Sequence, residues 1–525
     1  MAAVEGTAEE RRNGHRRGTP RRLHVTRRRR LGTVIAVALT LASVGAGVAG
    51  CAGSADPAGR SGSPEVLTVG RSLAGRPLPA GFLGLSFEFR GLEEYLGTDP
   101  SHLNPVFVQL IRNLAPGQRP MVRIGGDSTD WTWWPVPRLR QPGGVRYSLN
   151  SRWTQVARAF AQSLGARLLV GINFEADSRV IAAREATSIV RGVGSGSIAA
   201  LELGNEPELY GGFSWFRTPA GAPVLGRPRS YDFQDYLSDF GHIAAALPNV
   251  PVAGPSSGSA KYLAGLGDYL SHEPRVHLVA VHAYPLRHCT HSQLPTIAAL
   301  LAPETTRALA ATVGAYASVA HRHGVALRLD ETNSVSCGGY PPVSQSFGAA
   351  LWALGDLFAL DRAGVDGVNF HTVPDDSQHL ITTSETGGKW TAAVQPEYYG
   401  LLAFAQAAPA GSRLIRVSGH VATGVQVYAT AAANHQVHVV IINTSGRTRA
   451  LDLRIPGSTG AVGRTTLSGR GLAAQDNVTL GGQSIAPPTG ALGGTPAANP
   501  VAPIGGAYPV SVPGASAVLL TASRR

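Results

Sequence analysis

Glu206 and Glu331 are the side chains of this sequence best placed for acid–base and nucleophilic chemistry. Each stands at the end of an apolar, strand-like run, Ala199–Glu206 and Ala326–Glu331. One carboxyl group of such a pair can protonate a leaving oxygen while the other attacks the carbon that this oxygen leaves. The chemistry requires both groups to face one cavity, so the fold must bring them together.

Short apolar runs alternate with helical patterns over most of the chain, which is typical of a parallel sheet built from βα units. Eight such pairs favour the α/β class, as a (β/α)8 TIM barrel, over an open doubly wound sheet. The predicted strands are Phe82–Phe89, Met121–Gly126, Arg167–Phe174, Ala199–Glu206, Val250–Ser257, Val276–Tyr284, Ala326–Glu331 and Gly367–Thr372. The predicted helices are Pro105–Ala115, Thr154–Leu164, Ser178–Val193, Tyr231–Leu247, Lys261–Ser271, Ala299–His323, Ser344–Ala363 and Pro396–Ala407.

Polar residues cluster at the carboxyl ends of the predicted strands, where TIM barrels carry their catalytic groups. Glu206 and Glu331 close the fourth and seventh strands, on opposite sides of one mouth. A retaining glycoside hydrolase needs two carboxyl groups about 5–5.5 Å apart, one as acid/base and one as nucleophile. The positions of the two glutamates therefore favour hydrolysis of a glycosidic bond. Other polar residues at strand ends are Glu88, Arg123, Asp127, His282 and Tyr284.

The segment Asn205-Glu206-Pro207 resembles the acid/base signature of clan A glycoside hydrolases, in which the acid/base ends strand four and the nucleophile ends strand seven. Within that clan the chain resembles glycoside hydrolase family 79. It resembles the bacterial β-glucuronidase branch more than heparanase, because it lacks dense Lys/Arg clusters. The resembling segments are Gly84–Phe89, Val122–Trp134, Leu203–Glu208, His282–Pro285, Leu329–Gly339 and Val343–Leu354.

This resemblance implies an exo-β-glucuronidase with Glu206 as acid/base and Glu331 as the nucleophile that forms a covalent glycosyl intermediate. It also implies that Asn205 binds the sugar 2-hydroxyl, that Tyr284 donates to Glu331 and that Arg123 keeps Glu331 ionised. Another clan A β-glycosidase, an endo-glycanase and a non-catalytic carbohydrate-binding surface lipoprotein are the alternatives.

Further substrate-binding residues are expected around the same mouth. A uronic acid presents a carboxylate, and the glycines just after the nucleophile let backbone N–H groups approach it. Trp131, Trp133 and Trp134 could equally stack on sugar rings or cover the barrel mouth. The candidates for substrate binding are Glu88, Asp127, His282, Gly338, Gly339 and Tyr340.

The sequence predicts neither a metal nor a cofactor. His282, His288 and His291 lack the accompanying acidic or thiolate spacing of a zinc site. The glycine-rich segment Gly192–Ser197 lacks the lysine of a phosphate-binding loop. Cys289 and Cys337 follow the sixth and seventh strands, and an oxidising location would allow them to form a disulfide.

The N-terminal segment is typical of an export signal. Arg27–Arg30 precede an apolar run, Leu31–Val48, and the sequence Val48-Ala49-Gly50-Cys51 is similar to a bacterial lipobox with Cys51 as the lipidated residue. An uncleaved anchor is the alternative, because Leu31–Gly50 has about the 20 residues needed to span a bilayer. Both interpretations predict an exported bacterial protein, either a cell-surface lipoprotein or a secreted one.

The net charge of +12 is concentrated at the N-terminus, where residues 1–30 carry ten arginines and three glutamates. A nucleic-acid partner is therefore not expected, and the predicted partners are a carbohydrate substrate and, through the lipid, a membrane. The predicted domains are 1–51, leader and anchor; 52–65, flexible linker; 66–409, catalytic barrel; and 410–525, an all-β sandwich, with residues 66–78 as candidates to join it. Residues 481–506 are expected to form a long, poorly packed loop.

Overall fold

The computed structural model describes residues 65–289, 294–374, 376–497 and 499–524. The predicted leader, the lipidation residue Cys51, most of the linker and His291 lie outside these ranges. Among the helices within them, none is both long and apolar enough to cross a lipid bilayer.

Eight parallel strands close into a barrel and follow one another around it in sequence order. The predicted TIM barrel is thus confirmed, and each predicted strand overlaps an observed one. The fourth strand ends at Leu203, three residues before Glu206, because the backbone turns out of the sheet there. The strands are Leu83–Phe87, Met121–Ile124, Arg167–Ile172, Ile198–Leu203, Val252–Ser257, Val276–His282, Ala326–Thr332 and Gly367–His371.

Helices surround the barrel at the predicted positions, with two differences. The expected helix Lys261–Ser271 is broken near Gly265, and Ala299–His323 is broken before Pro303, since proline has no amide hydrogen and favours the first turn of a new helix. The helices are α1 Gly91–Leu96, α2 Pro105–Leu114, α3 Ser151–Leu164, α4 Arg179–Val193, α5 Phe233–Ala244, α6 Ala260–Leu263, α7 Leu266–His272, α8 Ile297–Leu301, α9 Pro303–Arg322, α10 Pro341–Ser344, α11 Phe347–Arg362 and α12 Pro396–Ala407.

The C-terminal strands form one nine-stranded, mostly antiparallel sheet that folds around its own core. The N-terminal strand Glu65–Ala74 belongs to this sheet, antiparallel to Arg413–Ser418 and parallel to Arg449–Arg454. Both ends of the described chain therefore meet in one sheet. The remaining strands are Val425–Ala431, Gln436–Asn443, Gly463–Ser468, Thr479–Leu480, Tyr508–Val512 and Ser516–Ser523.

Alternate residues of the sheet face two different hydrophobic cores, as the two-residue period of a strand requires. In the strand Gln436–Asn443, Val439 and Ile441 point into the core of the sheet itself. Val440 and Ile442 pack instead with the outer helices of the barrel. The sheet is thereby fixed to the barrel by apolar contact.

The expectation of a poorly packed loop over residues 481–506 is wrong for its first half. The Ile485 amide donates to the Tyr399 hydroxyl at 2.9 Å, and Asn113 donates to the Gly490 carbonyl at 2.7 Å. Ile485 itself is buried. The glycines and prolines of this segment allow the close approach to α2 and α12, so its composition reflects tight turns.

Two carboxyl groups are buried where α11 and α12 pack together. Both oxygens of Asp356 and one oxygen of Glu397 have no hydrogen-bonding partner among the described protein groups. Burial raises the pKa of Asp356 well above its usual value, and burial together with the charge of Asp356 raises the pKa of Glu397. Both groups are therefore protonated near neutral pH.

Replacing Asp356 by Asn should stabilise the protein increasingly as the pH rises. When the pKa of a carboxyl group is higher in the folded than in the unfolded protein, where it is near 4, the free energy of unfolding falls as the pH rises between those two values. Asp356→Asn removes this loss, so we expect a gain on the order of 1 kcal/mol or more at pH 8 and a smaller gain at pH 5. Calorimetric melting at both pH values measures the difference. The exposed Asp268→Asn variant is the control, and an equal response from both variants would contradict the assignment.

Candidate active site

Arg123, on the second barrel strand, is fully buried and uses its whole guanidinium group at the base of the site. Nη1 donates to Glu331 Oε2 at 2.6 Å and to Ser86 Oγ at 3.3 Å. Nε donates to Glu202 Oε2 at 2.7 Å, while Nη2 donates to Glu202 Oε1 at 3.2 Å and to Asn205 Oδ1 at 2.9 Å. A guanidinium group has five N–H donors, so every donor has an acceptor. Arg123 thereby joins four barrel strands.

Glu331 is held at both carboxylate oxygens. Tyr284 donates to Oε1 at 2.9 Å, and Arg123 donates to Oε2. Burial alone would raise the pKa of Glu331, but the positive charges of His371, His282 and Arg123 outweigh it and hold that pKa well below its usual range. Glu331 is therefore an ionised carboxylate in a fixed orientation. The predicted contacts of Tyr284 and Arg123 with it are both present.

Glu206 lies just beyond the fourth strand, in the left-handed region at φ 49°. Its amide donates to the Ser256 carbonyl at 2.8 Å, which ties the turn to the fifth strand. Its Oε1 is 3.3 Å from His282 Nδ1. One oxygen of Glu206, one oxygen of Glu331 and a ring nitrogen of His282 all lie within 4.8 Å of one another. The carboxyl groups of the two glutamates therefore lie close together at the carboxyl end of the barrel.

His282 carries a positive charge between these two carboxyl groups. Burial would lower its pKa, but the charge of Glu331 and the hydrogen bond with Glu206 raise it to about 10. The imidazolium can therefore donate a hydrogen bond to Glu206. His282 was predicted to bind substrate, and the structure places it beneath both catalytic candidates.

Asn205 is positioned from two sides. Its Oδ1 accepts from Arg123, its Nδ2 is 3.4 Å from Asp127 Oδ1, and its amide donates to Asp130 Oδ2 at 3.0 Å. Asp130 also accepts from Tyr210 at 2.7 Å and from backbone amides after the third strand. The sequence interpretation selected Asp127, whereas the buried Asp130 organises the loops after strands two, three and four.

A second ion pair flanks the nucleophile candidate on the other side. Glu88 Oε1 is 3.5 Å from His371 Nε2, and its Oε2 accepts from the Ser128 amide at 2.8 Å. His371 Nδ1 is 2.9 Å from Ser86 Oγ and 3.9 Å from Glu331 Oε2. Burial would lower the pKa of His371, but Glu331 and Glu88 raise it. His371 is the last residue of the observed eighth strand and the last but one of the predicted strand Gly367–Thr372, and that position could have singled it out.

Glu202 and Asp330 also surround Arg123, although neither was among the predicted site residues. Glu202 stands inside an apolar run, whereas Asp330 directly precedes Glu331. Asp330 Oδ2 is 3.0 Å from Arg123 Nε. Burial and the nearby Glu202 raise the pKa of Asp330 well above its usual value, so it is protonated. For Glu202, burial alone would raise the pKa, but the charge of Arg123 outweighs it and lowers it.

Two residue groups have the spacing to hold a cation, Glu202 with His282 and Asp330, and His282 with the two catalytic candidates. In the first group, Arg123 Nε already lies 2.7 Å from Glu202 and 3.0 Å from Asp330. The guanidinium group therefore supplies the positive charge that a metal ion would otherwise bring.

The predicted disulfide between Cys289 and Cys337 is confirmed, and it joins the loops after strands six and seven. Gly338 and Gly339 follow with φ of 85° and 80°. A Cβ atom on Gly338 would lie 2.9 Å from a carboxylate oxygen of Asp376, so this loop contact requires glycine.

Of the donors expected for a uronate, the Tyr340 amide is already used, because it donates to Ser344 Oγ at 3.1 Å. The amides of Gly338 and Gly339 donate to no group in the described part of the chain. The Tyr340 ring lies 4.8 Å from the ring of His288, so both rings border this loop.

The three tryptophans after the second strand have different environments. Trp133 is buried, and its Nε1 donates to Ser148 Oγ at 2.9 Å, so it packs inside the protein and has no surface for stacking on a sugar. Trp131 is partly exposed, with the Arg146 guanidinium 4.1 Å above its ring. Trp134 packs at the edge of the barrel core. Only Trp131 and Trp134 keep surface that a sugar could contact.

Two fungal β-glucuronidases are similar to this chain in sequence. The protein from Aspergillus niger is 26% identical over 361 residues, covering 62% of this chain, and the protein from Neurospora crassa is 23% identical over 382 residues, covering 65%. The matches span 64% and 65% of those two proteins, slightly less than two thirds of their length. No model of a known protein family matches the chain.

Solved glycoside hydrolases share the fold. A 4-O-α-L-rhamnosyl-β-D-glucuronidase from Fusarium oxysporum superposes with a TM-score of 0.69 at 18% identity, over 86% of this chain and 100% of its own. A family 51 arabinofuranosidase from Xanthomonas axonopodis gives 0.59 at 16% identity, over 88% and 100%. These likenesses establish the barrel-plus-sheet architecture, and together with the sequence relatives they support the predicted class, a glycoside hydrolase.

Replacing Arg123 by Met should strongly destabilise the protein. The substitution leaves Glu202 and Glu331 buried without their cation, and breaking a buried ion pair from one side typically costs about 3–5 kcal/mol. Urea unfolding of Arg123→Met measures this loss. The exposed Arg191→Met on α4 is the matched control and should change the free energy of unfolding by less than about 0.5 kcal/mol. A small effect of Arg123→Met would mean that Glu202 and Glu331 become protonated when the arginine is absent, so that no uncompensated charge stays buried.

Proposed function

We propose that this protein is a retaining exo-β-glucuronidase of glycoside hydrolase family 79, similar to its bacterial branch. The observation that carries the mechanism is that an oxygen of Glu206 and an oxygen of Glu331 lie within 4.8 Å of each other. This distance is consistent with the separation of about 5–5.5 Å between the carboxyl groups of retaining enzymes. This short distance favours a retaining mechanism over an inverting one, whose carboxyl groups lie about 6.5–9.5 Å apart to admit a water molecule.

The proposed reaction has two steps. Glu331 attacks the anomeric carbon while Glu206 donates its proton to the glycosidic oxygen, and the aglycone leaves as an alcohol. Glu206, now ionised, then removes a proton from water, which attacks the same carbon and releases the sugar from Glu331. The fixed orientation of Glu331 between Tyr284 and Arg123 favours the first step, because an immobilised nucleophile loses little entropy on reaching the transition state.

Asn205 is suited to stabilise the transition state. Its Oδ1 is held by Arg123, so its Nδ2 is the amide atom that turns toward the site, where it lies 3.4 Å from Asp127. A hydrogen bond to the sugar 2-hydroxyl strengthens as positive charge develops on the ring. Asp127 and Glu88 are further acceptors for sugar hydroxyls.

The preference for a glucuronide is supported by the named activities of the two fungal relatives and of the Fusarium oxysporum protein. In this chain the amides of Gly338 and Gly339 and the hydroxyl of Tyr340 are the proposed donors for the sugar carboxylate. The nearby Asp376 would repel that carboxylate if it were ionised, so the glycine amides must offset it. A neutral-sugar specificity within clan A is the alternative that this acidic neighbour favours.

Chemical rescue tests the assignment of both glutamates. Glu331→Ala should lose at least about 10⁴-fold in kcat on p-nitrophenyl β-glucuronide. Added azide should restore turnover by filling the vacated space and should give the α-glucuronyl azide. Glu206→Ala should keep its first step on 2,4-dinitrophenyl β-glucuronide, whose leaving group needs no proton, and azide should then give the β-glucuronyl azide.

Proton NMR of the azide products distinguishes the two anomers. The p-nitrophenyl β-galactoside and β-xyloside, run beside the glucuronide, test the substrate separately from the mechanism. Rescue with a neutral sugar alone would support the proposed mechanism but would contradict the proposed preference for a glucuronide. Azide products of the opposite configuration would exchange the roles of the two residues.

Replacing His371 by Asn should shift the acid limb of the pH profile of kcat/KM to higher pH. The charge of His371 is the first of those that lower the pKa of Glu331, so its loss raises that pKa, and the nucleophile must be ionised to attack. The profile between pH 3 and 8 measures the shift. His438→Asn, far from the site in the sheet, is the control. An unchanged acid limb would contradict this role of His371, because His282 and Arg123 would then be sufficient to keep Glu331 ionised.

A further inference from the structure

The C-terminal sheet is strongly basic, although the protein outside the leader is only mildly so. Residues 410–525 contain nine arginines and no lysine, against two aspartates and no glutamate. The barrel residues 65–409 carry slightly more acidic than basic side chains. The average over the whole chain conceals this difference in charge between the barrel and the sheet.

Four arginines of the sheet meet around Gly70, in the strand Glu65–Ala74. Arg71 is the next residue, and the carbonyl of Arg416 on the neighbouring strand faces Gly70, 2.9 Å from where a Cβ would stand. Arg454 pairs with Thr68 from the other side. Arg524 donates to the Gly70 carbonyl at 2.8 Å. Arg71, Arg416 and Arg454 are exposed.

These positive charges lack direct compensation. Within the described ranges, none of Arg71, Arg416 and Arg454 forms an ion pair, whereas Arg76, Arg90, Arg123 and Arg227 do. The acidic residue nearest in register is the half-buried Asp452, opposite Val66. Burial lowers the pKa of Arg524, and the positive charge of Arg71 lowers it further, because the two cations repel one another. An anionic partner would relieve this repulsion.

The same strand exposes apolar side chains. Val66 is 45% exposed and lies on the side of the sheet that carries Arg454, because Val66 and Thr68 pair with Asp452 and Arg454. Leu73 is 47% exposed, but it lies beyond the bulge of this strand and pairs with the core residue Ile415. The strand Glu65–Ala74 contains no aromatic residue. Sugar-binding surfaces depend on aromatic stacking, whereas arginines beside aliphatic side chains suit the interface of an anionic lipid bilayer.

We propose that this basic face, Val66, Arg71, Arg416 and Arg454, docks on an anionic phospholipid surface. The strand that carries it begins directly after residues 52–64, which reach at most roughly 45 Å when extended. A lipid on Cys51, itself a proposal, would therefore keep the face close to the membrane. One acyl chain alone binds a bilayer only marginally, and a basic patch is a suitable second attachment.

Vesicle sedimentation tests this face without the leader. Residues 65–525 contain both hydrophobic cores and every described strand pair, so this fragment is expected to fold by itself. It should bind vesicles of 30% phosphatidylglycerol in phosphatidylcholine and should not bind pure phosphatidylcholine. Binding should weaken about fivefold for each arginine removed, so Arg71→Gln, Arg416→Gln and Arg454→Gln together should lose roughly 100-fold.

A matched triple variant controls for net charge. Arg179, Arg184 and Arg191 are exposed on α4, and replacing all three by Gln removes the same charge from the barrel. This control should keep its vesicle binding, and both triple variants should keep glycosidase activity and melting temperature. Because vesicle binding is read without a glycoside, it stands or falls separately from the proposed hydrolase activity.

Three results would overturn the proposal. Equal losses in the two triple variants would show that only the total charge matters. Equal binding to charged and uncharged vesicles would remove the role of the arginines. Binding to sodium alginate with the same arginine dependence, without binding to vesicles, would assign the face to an anionic polysaccharide instead.

Discussion

The buried guanidinium group of Arg123 is the interaction on which the site depends. It donates hydrogen bonds to Glu331, Asn205 and Glu202 at the same time. Because all five of its N–H donors are used, the group cannot rotate without breaking contacts to several strands at once. The orientation of the nucleophile candidate and that of the sugar-binding amide are consequently coupled. A lysine could supply the charge but not this planar set of contacts.

The barrel provides room for that group by its choice of interior residues. Below the charged layer, the interior contains Leu169 with the small side chains Ala200, Ala253 and Ala280, packed in one cluster. Such a packed layer excludes water from beneath the site, which strengthens every electrostatic contact above it. The unfavourable free energy of burying Glu202 and Asp330 is offset because Arg123 lies between them. The protonation of Asp330 reduces that cost further, since three ionised acids around one arginine would repel each other.

The sequence was sufficient to predict the barrel, the strand numbers of both glutamates and the contacts of Tyr284 and Arg123 with Glu331. It was not sufficient for Glu202 or Asp330. A strand buried on both faces is a continuous apolar run, so an acid within it resembles an interruption until its partner from another strand is known. The same limit applies to Asp130, whose importance lies in hydrogen bonds to backbone of three loops. The basic face of the sheet was concealed for a different reason: its arginines are dispersed along the sequence, and only strand pairing brings them together.

The charges around the two glutamates are arranged to accommodate both steps of the proposed reaction. Before the first step Glu331 is ionised and Glu206 holds the proton; after it, Glu331 is esterified and Glu206 is ionised. The negative charge is thus conserved and moves by less than 4.8 Å. His282 lies beside both groups, 3.3 Å from Glu206, and its own pKa is raised by Glu331 as well as by Glu206. One buried imidazolium can therefore stabilise whichever carboxylate is charged, so that neither the intermediate nor the free enzyme leaves an uncompensated ion in the barrel.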